Sequence, residues 1–255
     1  MTSEIDSKPS EVPNGGADTT ATIPSSTENS KPVDSKIDAR VISDDLPSPA
    51  SCQKVENYTV LDRKGDAHPF KSLYDGPNST SRVLVIFVRH FFCGSCQEFL
   101  SALSNSIQAE DLKRLPVSTS ISIVGCGDPS LIDFYATETG CPFPIFADPT
   151  RKLYDDLGMV NTFSMGTRPD YIRKSLVRGI AESIGQALKH IPSGLGTKGG
   201  DSRQVGGEFL FEPSDKGEGK QVTWCHRMKT TRDHTGVSEL AKVLDPDGST
   251  LLQKA

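Results

Sequence analysis

Residues 82–103 read RVLVIFVRHFFCGSCQEFLSAL, and the fold turns on this stretch. Val83 to Val88 are all apolar, and Val83, Val85, Ile86 and Val88 are β-branched. A short run of that kind reads as a strand covered on both faces, the usual state of a strand at the centre of an α/β sheet. Arg89, His90, Phe91 and Phe92 form a brief connection, Cys93-Gly94-Ser95-Cys96 follows, and Phe99, Leu100, Leu103 and Ile107 then recur at helical spacing. A CxxC pair therefore sits where a buried strand hands over to a helix.

That placement carries chemistry. The thiolate is the nucleophile, and a free thiol at its ordinary pKa is mostly protonated at neutral pH. In the first turn of a helix, unpaired N–H groups and the positive end of the dipole favour the thiolate. Cys93 lies at the loop end and reads as the attacking sulfur. Cys96 lies one turn further in and reads as the resolving sulfur. Zinc normally takes a second pair of ligands at similar spacing, and the chain has neither a second CxxC nor a His-x-x-x-His. The spacing thus favours redox use over a zinc site or an inert buried pair. His90, three residues before Cys93, is placed to stabilise the thiolate or pass protons, because imidazole titrates near neutral pH. Arg89 reads as an exposed loop charge, with a partner for the thiolate as the alternative.

Upstream of this stretch, residues 1–50 are rich in Ser, Thr, Pro and charged residues and nearly lack aromatics. Such a segment buries too little apolar surface to offset its ordering entropy, so a disordered tail is expected, with one folded domain over 51–255. The tail holds four basic and nine acidic residues, which accounts for the whole net charge of −5. The rest is balanced and offers no basic face for nucleic acid. The N-terminus has no basic n-region or apolar h-region, and no apolar run approaches the length of a membrane span. Six cysteines with one tight CxxC fit a reducing compartment, so cytoplasm is the expected location.

Tyr58 to Phe70 reads as a hairpin turning at Gly65. Downstream, residues 117–127 and 144–147 read as further parallel strands. Asp128-Pro129 and Asp148-Pro149 each supply a cap and a first-turn proline. Residues 170–191 read as one long helix, 208–212 and 221–226 as an antiparallel pair, and the helix ending at Leu244 as the last element. The glycines of 194–207 follow no strand and precede no Gly-Lys-Ser/Thr, so they are loop or close-packing glycines and not a phosphate cradle. Cys126 ends a strand and reads as a small buried residue. The order predicts an α/β, thioredoxin-like three-layer sandwich enlarged by a helical insertion.

Three segments also resemble a known family. FVRHFFCGSC at 87–96, CPFPIFADPTRKLY at 141–154, and QVGGEFLF at 204–211 with His226-Arg227 resemble AhpC/TSA antioxidant-enzyme-domain proteins of the peroxiredoxin-like type, a group with fungal members. The resemblance spans roughly residues 56 to 245. It implies a thioredoxin fold and an antioxidant thiol oxidoreductase acting on a small peroxide or disulfide. It implies no bound cofactor, but an external thiol reductant such as thioredoxin or glutathione, ultimately fed by NADPH. It also implies an active-site role for Arg227, since peroxiredoxins use an arginine from this region to stabilise thiolate and peroxide charge. The chain departs from classical peroxiredoxins where they carry Pro and Thr ahead of the cysteine, having Ile86 and His90 there. The competing expectation is a thioredoxin-fold binding module whose CxxC is a redox sensor or a relic.

Overall fold

The computed structural model describes residues 42–77, 79–173, 176–192, 194–215 and 219–251. Residues 1–41, most of the expected tail, lie outside them. Ser48 accepts a hydrogen bond from the Ser51 N–H, and Pro49 opens α1 (Pro49–Val55), so serine cap and first-turn proline act together. The hairpin is β1 (Thr59–Leu61) with β2 (Ala67–Pro69), turning at Gly65 with φ +85°. The apolar run forms β3 (Arg82–Phe87), and the CxxC opens α2 (Gly94–Ser106). Then come α3 (Ala109–Lys113), β4 (Thr119–Gly125), α4 (Ile132–Thr139), β5 (Ile145–Ala147) and α5 (Lys152–Asp156). The chain closes with α6 (Leu176–Lys189), β6 (Gly207–Pro213), β7 (Lys220–Arg227) and α7 (Val237–Leu244).

The strands form one seven-stranded sheet in the order β2-β1-β5-β4-β3-β6-β7. β3, β4 and β5 run parallel, and β6 and β7 add on antiparallel beside β3. Parallel strands need crossovers; α2 and α4, which supply them, cover one face of the sheet, and α1 and α5 lie on the other. This is the α/β, thioredoxin-like sandwich expected from the sequence.

Side-chain parity in β3 and β6 assigns every neighbour to a layer. Leu84, Ile86 and Leu210 face the layer of α2, α4 and α7, together with Cys96, Tyr135 and Leu240. Val83, Val85, Phe87, Phe209 and Phe211 face the other layer, with Val55, Phe70 and Tyr154. The Tyr154 hydroxyl reaches back to the carbonyls of Val88 (2.8 Å) and Val124 (3.0 Å). It thereby ties together the chain ends leaving β3 and β4, on the side where the cysteines lie.

Three sequence expectations are adjusted. Among the described residues the long helix runs from Leu176 to Lys189, and the carbonyls of Ile172 and Arg173 are held by the Arg168 guanidinium. Asp148 caps as expected, accepting from Thr150, Arg151 and Leu153 N–H groups, yet α5 starts only at Lys152 because Arg151 takes φ +62°. Ser43 to Asp45, assigned to the tail, lie against β7. The carbonyls of Ser43 and Asp45 and the Asp44 carboxylate are all bound by Arg227. No helix among the described residues is long and apolar enough to cross a membrane.

Candidate functional site

Cys93 occupies the N-cap position of α2, with extended backbone angles, and its N–H is bound by the His90 carbonyl at 2.9 Å. The strand-to-helix handover thus places its sulfur beside the free N–H groups of a 13-residue helix. All six cysteines are unpaired, and Cys93 and Cys96 are both buried.

Arg89, expected as an exposed loop charge, is instead buried and points at the thiol. Its Nη1 donates to Cys93 Sγ at 3.1 Å. Its other donors are held by the carbonyls of Gln204 (3.2 Å), Thr231 (3.4 Å) and Ser202. Four acceptors from three separate loops therefore fix one guanidinium, and the fork geometry of arginine suits that number. The reason it turns inward is this ring of backbone carbonyls, which sequence spacing does not display.

Two surroundings split the two thiols. A hydrogen bond from Cys96, followed by the charge of Arg89, outweighs burial and holds the Cys93 thiol well below the usual thiol range. Burial pushes the Cys96 thiol up, and the neighbouring Cys93 sulfur pushes it further. One thiolate and one thiol, side by side, is the arrangement an attacking and resolving pair requires. His90 lines the cleft next to Cys93, and burial lowers its pKa, so its ring is neutral at neutral pH. Cys126 and Cys141 are pushed by burial up to about 12 and about 11, so both are thiols and not thiolates at neutral pH.

The cleft in front of Cys93 encloses about 410 Å³. Its walls are largely apolar: Phe163, Met165 and Ile172 on one side and Ile184 of α6 on the other. Phe163 and Ile184 are 67% and 56% exposed, so the cleft is greasy and open to solvent. Both readings left open for the glycines of 194–207 occur: Gly194, with φ +72° and nothing near it, is a loop glycine, and those from Gly196 onward are close-packing residues. A Cβ on Gly199 would come within 2.4 Å of the Phe92 ring, and one on Gly206 within 1.7 Å of the Phe87 carbonyl oxygen. The backbone carrying Gln204 can approach the end of β3 only because no side chain intervenes.

Arg227 is not brought to Cys93 and Cys96; the sulfur it reaches is that of Cys225, at 3.4 Å. It pairs with Gly207 across the β6–β7 ladder and faces the same layer as Phe209, over whose ring it lies at 5.3 Å. Its Nε donates to the Leu157 carbonyl at 2.6 Å. Cys93 and Cys96 belong to the opposite layer, so strand parity separates them from Arg227. Arg89 holds the place at the thiol that the resemblance implied for Arg227.

Sequence reasoning missed His234. Its Nε2 lies 3.3 Å from Cys96 Sγ, and its Nδ1 lies 2.6 Å from Glu208 Oε1. Neither side chain has exposed surface. Thr235 donates to the other Glu208 oxygen at 3.1 Å, and the His234 ring stacks on Phe99 at 4.2 Å. A signal was present: Glu208 is a carboxylate at the head of the apolar strand GEFLF, and a buried carboxylate demands a partner. Losing one member of such a buried pair costs about 3–5 kcal/mol.

The sequence pattern of the AhpC/TSA antioxidant enzymes matches residues 100–230. The chain belongs to the AhpC/TSA antioxidant enzyme family. Peroxiredoxin-like 2C of Takifugu rubripes is 29% identical over 194 residues, covering 75% of this chain and 80% of that protein. Peroxiredoxin-like 2C of Homo sapiens is 28% identical over 199 residues, covering 74% and 78%. The bacterioferritin comigratory protein of Xanthomonas campestris, a solved structure, aligns at 15% identity with a TM-score of 0.43, over 79% of this chain and 95% of that one. Membership in this family supports a thiol oxidoreductase with an antioxidant role. The matched stretch starts after Cys96 and ends before His234, so it includes the far wall of the cleft and Glu208 but neither cysteine, nor Arg89, nor His234.

Proposed function

We propose that this protein is a CxxC-dependent thiol oxidoreductase that reduces an apolar organic hydroperoxide or disulfide. The observation that carries the reading is the Arg89-bound Cys93 sulfur at the helix N-terminus, in an apolar cleft, with the protonated Cys96 beside it. With a hydroperoxide, the Cys93 thiolate attacks the terminal oxygen and the O–O bond breaks. The electron pair leaves on the alkoxide, which is protonated to the alcohol, and Cys93 becomes the sulfenic acid. Cys96 then attacks the Cys93 sulfur, an S–S bond forms and water leaves. An external dithiol or two thiols, of the thioredoxin or glutathione kind, return two electrons and two protons to the pair. Cys93 lines the cleft and Cys96 does not, which makes Cys93 the sulfur that meets both the substrate and the reductant. Six unpaired cysteines suit a reducing compartment, and the cytoplasm is the proposed site of action.

The test is intact-mass analysis of reduced protein exposed briefly to one equivalent of cumene hydroperoxide, with Cys93→Ser and Cys96→Ser alongside. The parent should lose two hydrogens, about 2 Da, and Cys96→Ser should gain one oxygen, about 16 Da. Cys93→Ser should do neither. Full turnover by Cys93→Ser would overturn the assignment.

A further inference from the structure

Glu208, His234 and Cys96 form a continuous buried line, and the reading above gives it no work. We infer that His234 is a catalytic base that takes the Cys96 thiol proton at the resolving step, with Glu208 as the positioning residue that fixes the imidazole. The inference rests on the proposed roles of the two cysteines.

The geometry sets the protonation pattern. Glu208 Oε1 stands 2.6 Å from Nδ1, a distance that places a proton between them. The Thr235 hydroxyl donates to the other carboxylate oxygen, so Glu208 accepts on both sides and its charge is satisfied as a carboxylate. Nδ1 then carries the hydrogen, and in the neutral ring that leaves Nε2 as the acceptor facing Cys96 Sγ at 3.3 Å. The ring cannot swing away, because Phe99, one turn along α2 from Cys96, stacks on it with an interplanar angle of 5°.

The same contacts set the order of events. In the reduced protein the protonated Cys96 helps hold its neighbour Cys93 as a thiolate. Once Cys93 has become a neutral sulfenic acid, that acceptor has lost its charge. The S–H rotates about its own C–S bond, and Nε2 is the acceptor waiting within reach. Nε2 takes the proton and the Cys96 thiolate attacks the Cys93 sulfur. The S–O bond breaks, and the departing hydroxide takes a proton from solvent and leaves as water, so the imidazolium keeps the thiol proton. Glu208 stabilises the imidazolium through Nδ1–H. During recycling a reductant thiolate attacks Cys93, Cys96 leaves as thiolate, and the imidazolium returns the proton. The thiol proton thus serves attack first and resolution second, and the switch is the charge on Cys93.

The experiment uses 5,5′-dithiobis(2-nitrobenzoate) with the reduced full chain in a Cys52→Ser background, since Cys52 is the half-exposed thiol. Attack by Cys93 releases one thionitrobenzoate and leaves a mixed disulfide. Attack by Cys96 on Cys93 releases the second. Stopped-flow absorbance therefore reads the two steps separately, without a peroxide. In His234→Gln the first phase should keep its rate, and the second should slow on the order of 100-fold at neutral pH. The deficit should shrink about tenfold per pH unit above neutrality, as hydroxide replaces the missing base. Glu208→Gln, which keeps the shape and an acceptor for Nδ1–H, should show the same pattern to a lesser degree, and it serves if His234→Gln does not fold. A second phase at the parental rate, or one slowed by the same factor at every pH, would overturn the relay. A first phase no faster than that of a free thiol would instead overturn Cys93 as the attacking sulfur, and the second phase would still report on His234.

Discussion

Replacing Arg89 by Gln should raise the pKa of Cys93 and slow it at neutral pH. The guanidinium nitrogen lies 3.1 Å from the sulfur. Two unit charges at that separation interact by about 5 kcal/mol at an effective dielectric constant of 20. That is a ceiling, because the guanidinium charge is spread over three nitrogens that also bind three backbone carbonyls. A single hydrogen bond to a charged partner contributes about 1.5–3 kcal/mol. At about 1.36 kcal/mol per pKa unit, the Cys93 midpoint should rise by roughly 1–2 units. The Cys96 hydrogen bond and the helix N-terminus remain in the variant and keep the midpoint from returning fully to that of a free thiol. The sign is fixed by the charge. A cation favours the thiolate, so its loss moves the alkylation curve to higher pH, and reactivity at neutral pH falls. The assay is the pH dependence of iodoacetamide alkylation, with the Cys93 peptide followed by mass spectrometry. Arg89→Lys belongs beside it: the ammonium keeps the charge but loses the fork, so it should recover part of the shift and less of the thermal stability. A midpoint unmoved in Arg89→Gln, in a variant that melts like the parent, would refute the claim that this contact holds the thiolate.

Three further outcomes are expected. Gly206→Ala should destabilise the protein by about 3 kcal/mol or more, read as a fall in the urea midpoint, because the added methyl would stand 1.7 Å from the Phe87 carbonyl oxygen. Arg227→Ala should lower stability by about 2–4 kcal/mol through the carbonyls it abandons at Leu157, Ser43 and Asp45, while leaving the Cys93 alkylation midpoint in place. Ile184→Asp should raise KM for cumene hydroperoxide several-fold with hydrogen peroxide turnover little changed, since an apolar wall residue contributes about 1–3 kcal/mol to an apolar ligand and nothing to a ligand without apolar surface.

The sheet was legible because its signals are local. The β-branched run Val83–Val88, the Ser, Thr and Ile alternation before Gly125 and the paired apolar strands around residues 213–220 each announce their own element. The CxxC at the strand–helix junction was legible for the same reason. What escaped is what the fold assembles across distance. Arg89 turns inward because carbonyls from Ser202, Gln204 and Thr231 converge on it, residues more than a hundred positions away. Arg227 was assigned by resemblance to the wrong face, although counting pairs along β6 and β7 from Phe209 would have sent it away from the cysteines. His234 sits in a loop with no periodicity, and only the oddity of a glutamate heading an apolar strand hinted that a partner existed. The segment from Ser43 to Asp45 was lost in a polar tail, because backbone carbonyls serving a distant arginine leave no mark on composition.

The contacts that depress the Cys93 thiol also bear on redox potential. A hydrogen bond from Cys96, the Arg89 cation and a helix N-terminus all stabilise the reduced, anionic sulfur, and none of them stabilises a neutral disulfide in the same measure. Whatever favours the dithiol over the disulfide raises the reduction potential, by roughly 30 mV for each 1.4 kcal/mol. A Cys93–Cys96 disulfide would therefore be comparatively oxidising, poised to accept electrons from ordinary cellular dithiols and to return quickly to the reduced form. One buried arginine would then tune both halves of the cycle, speeding the attack and easing the recharge.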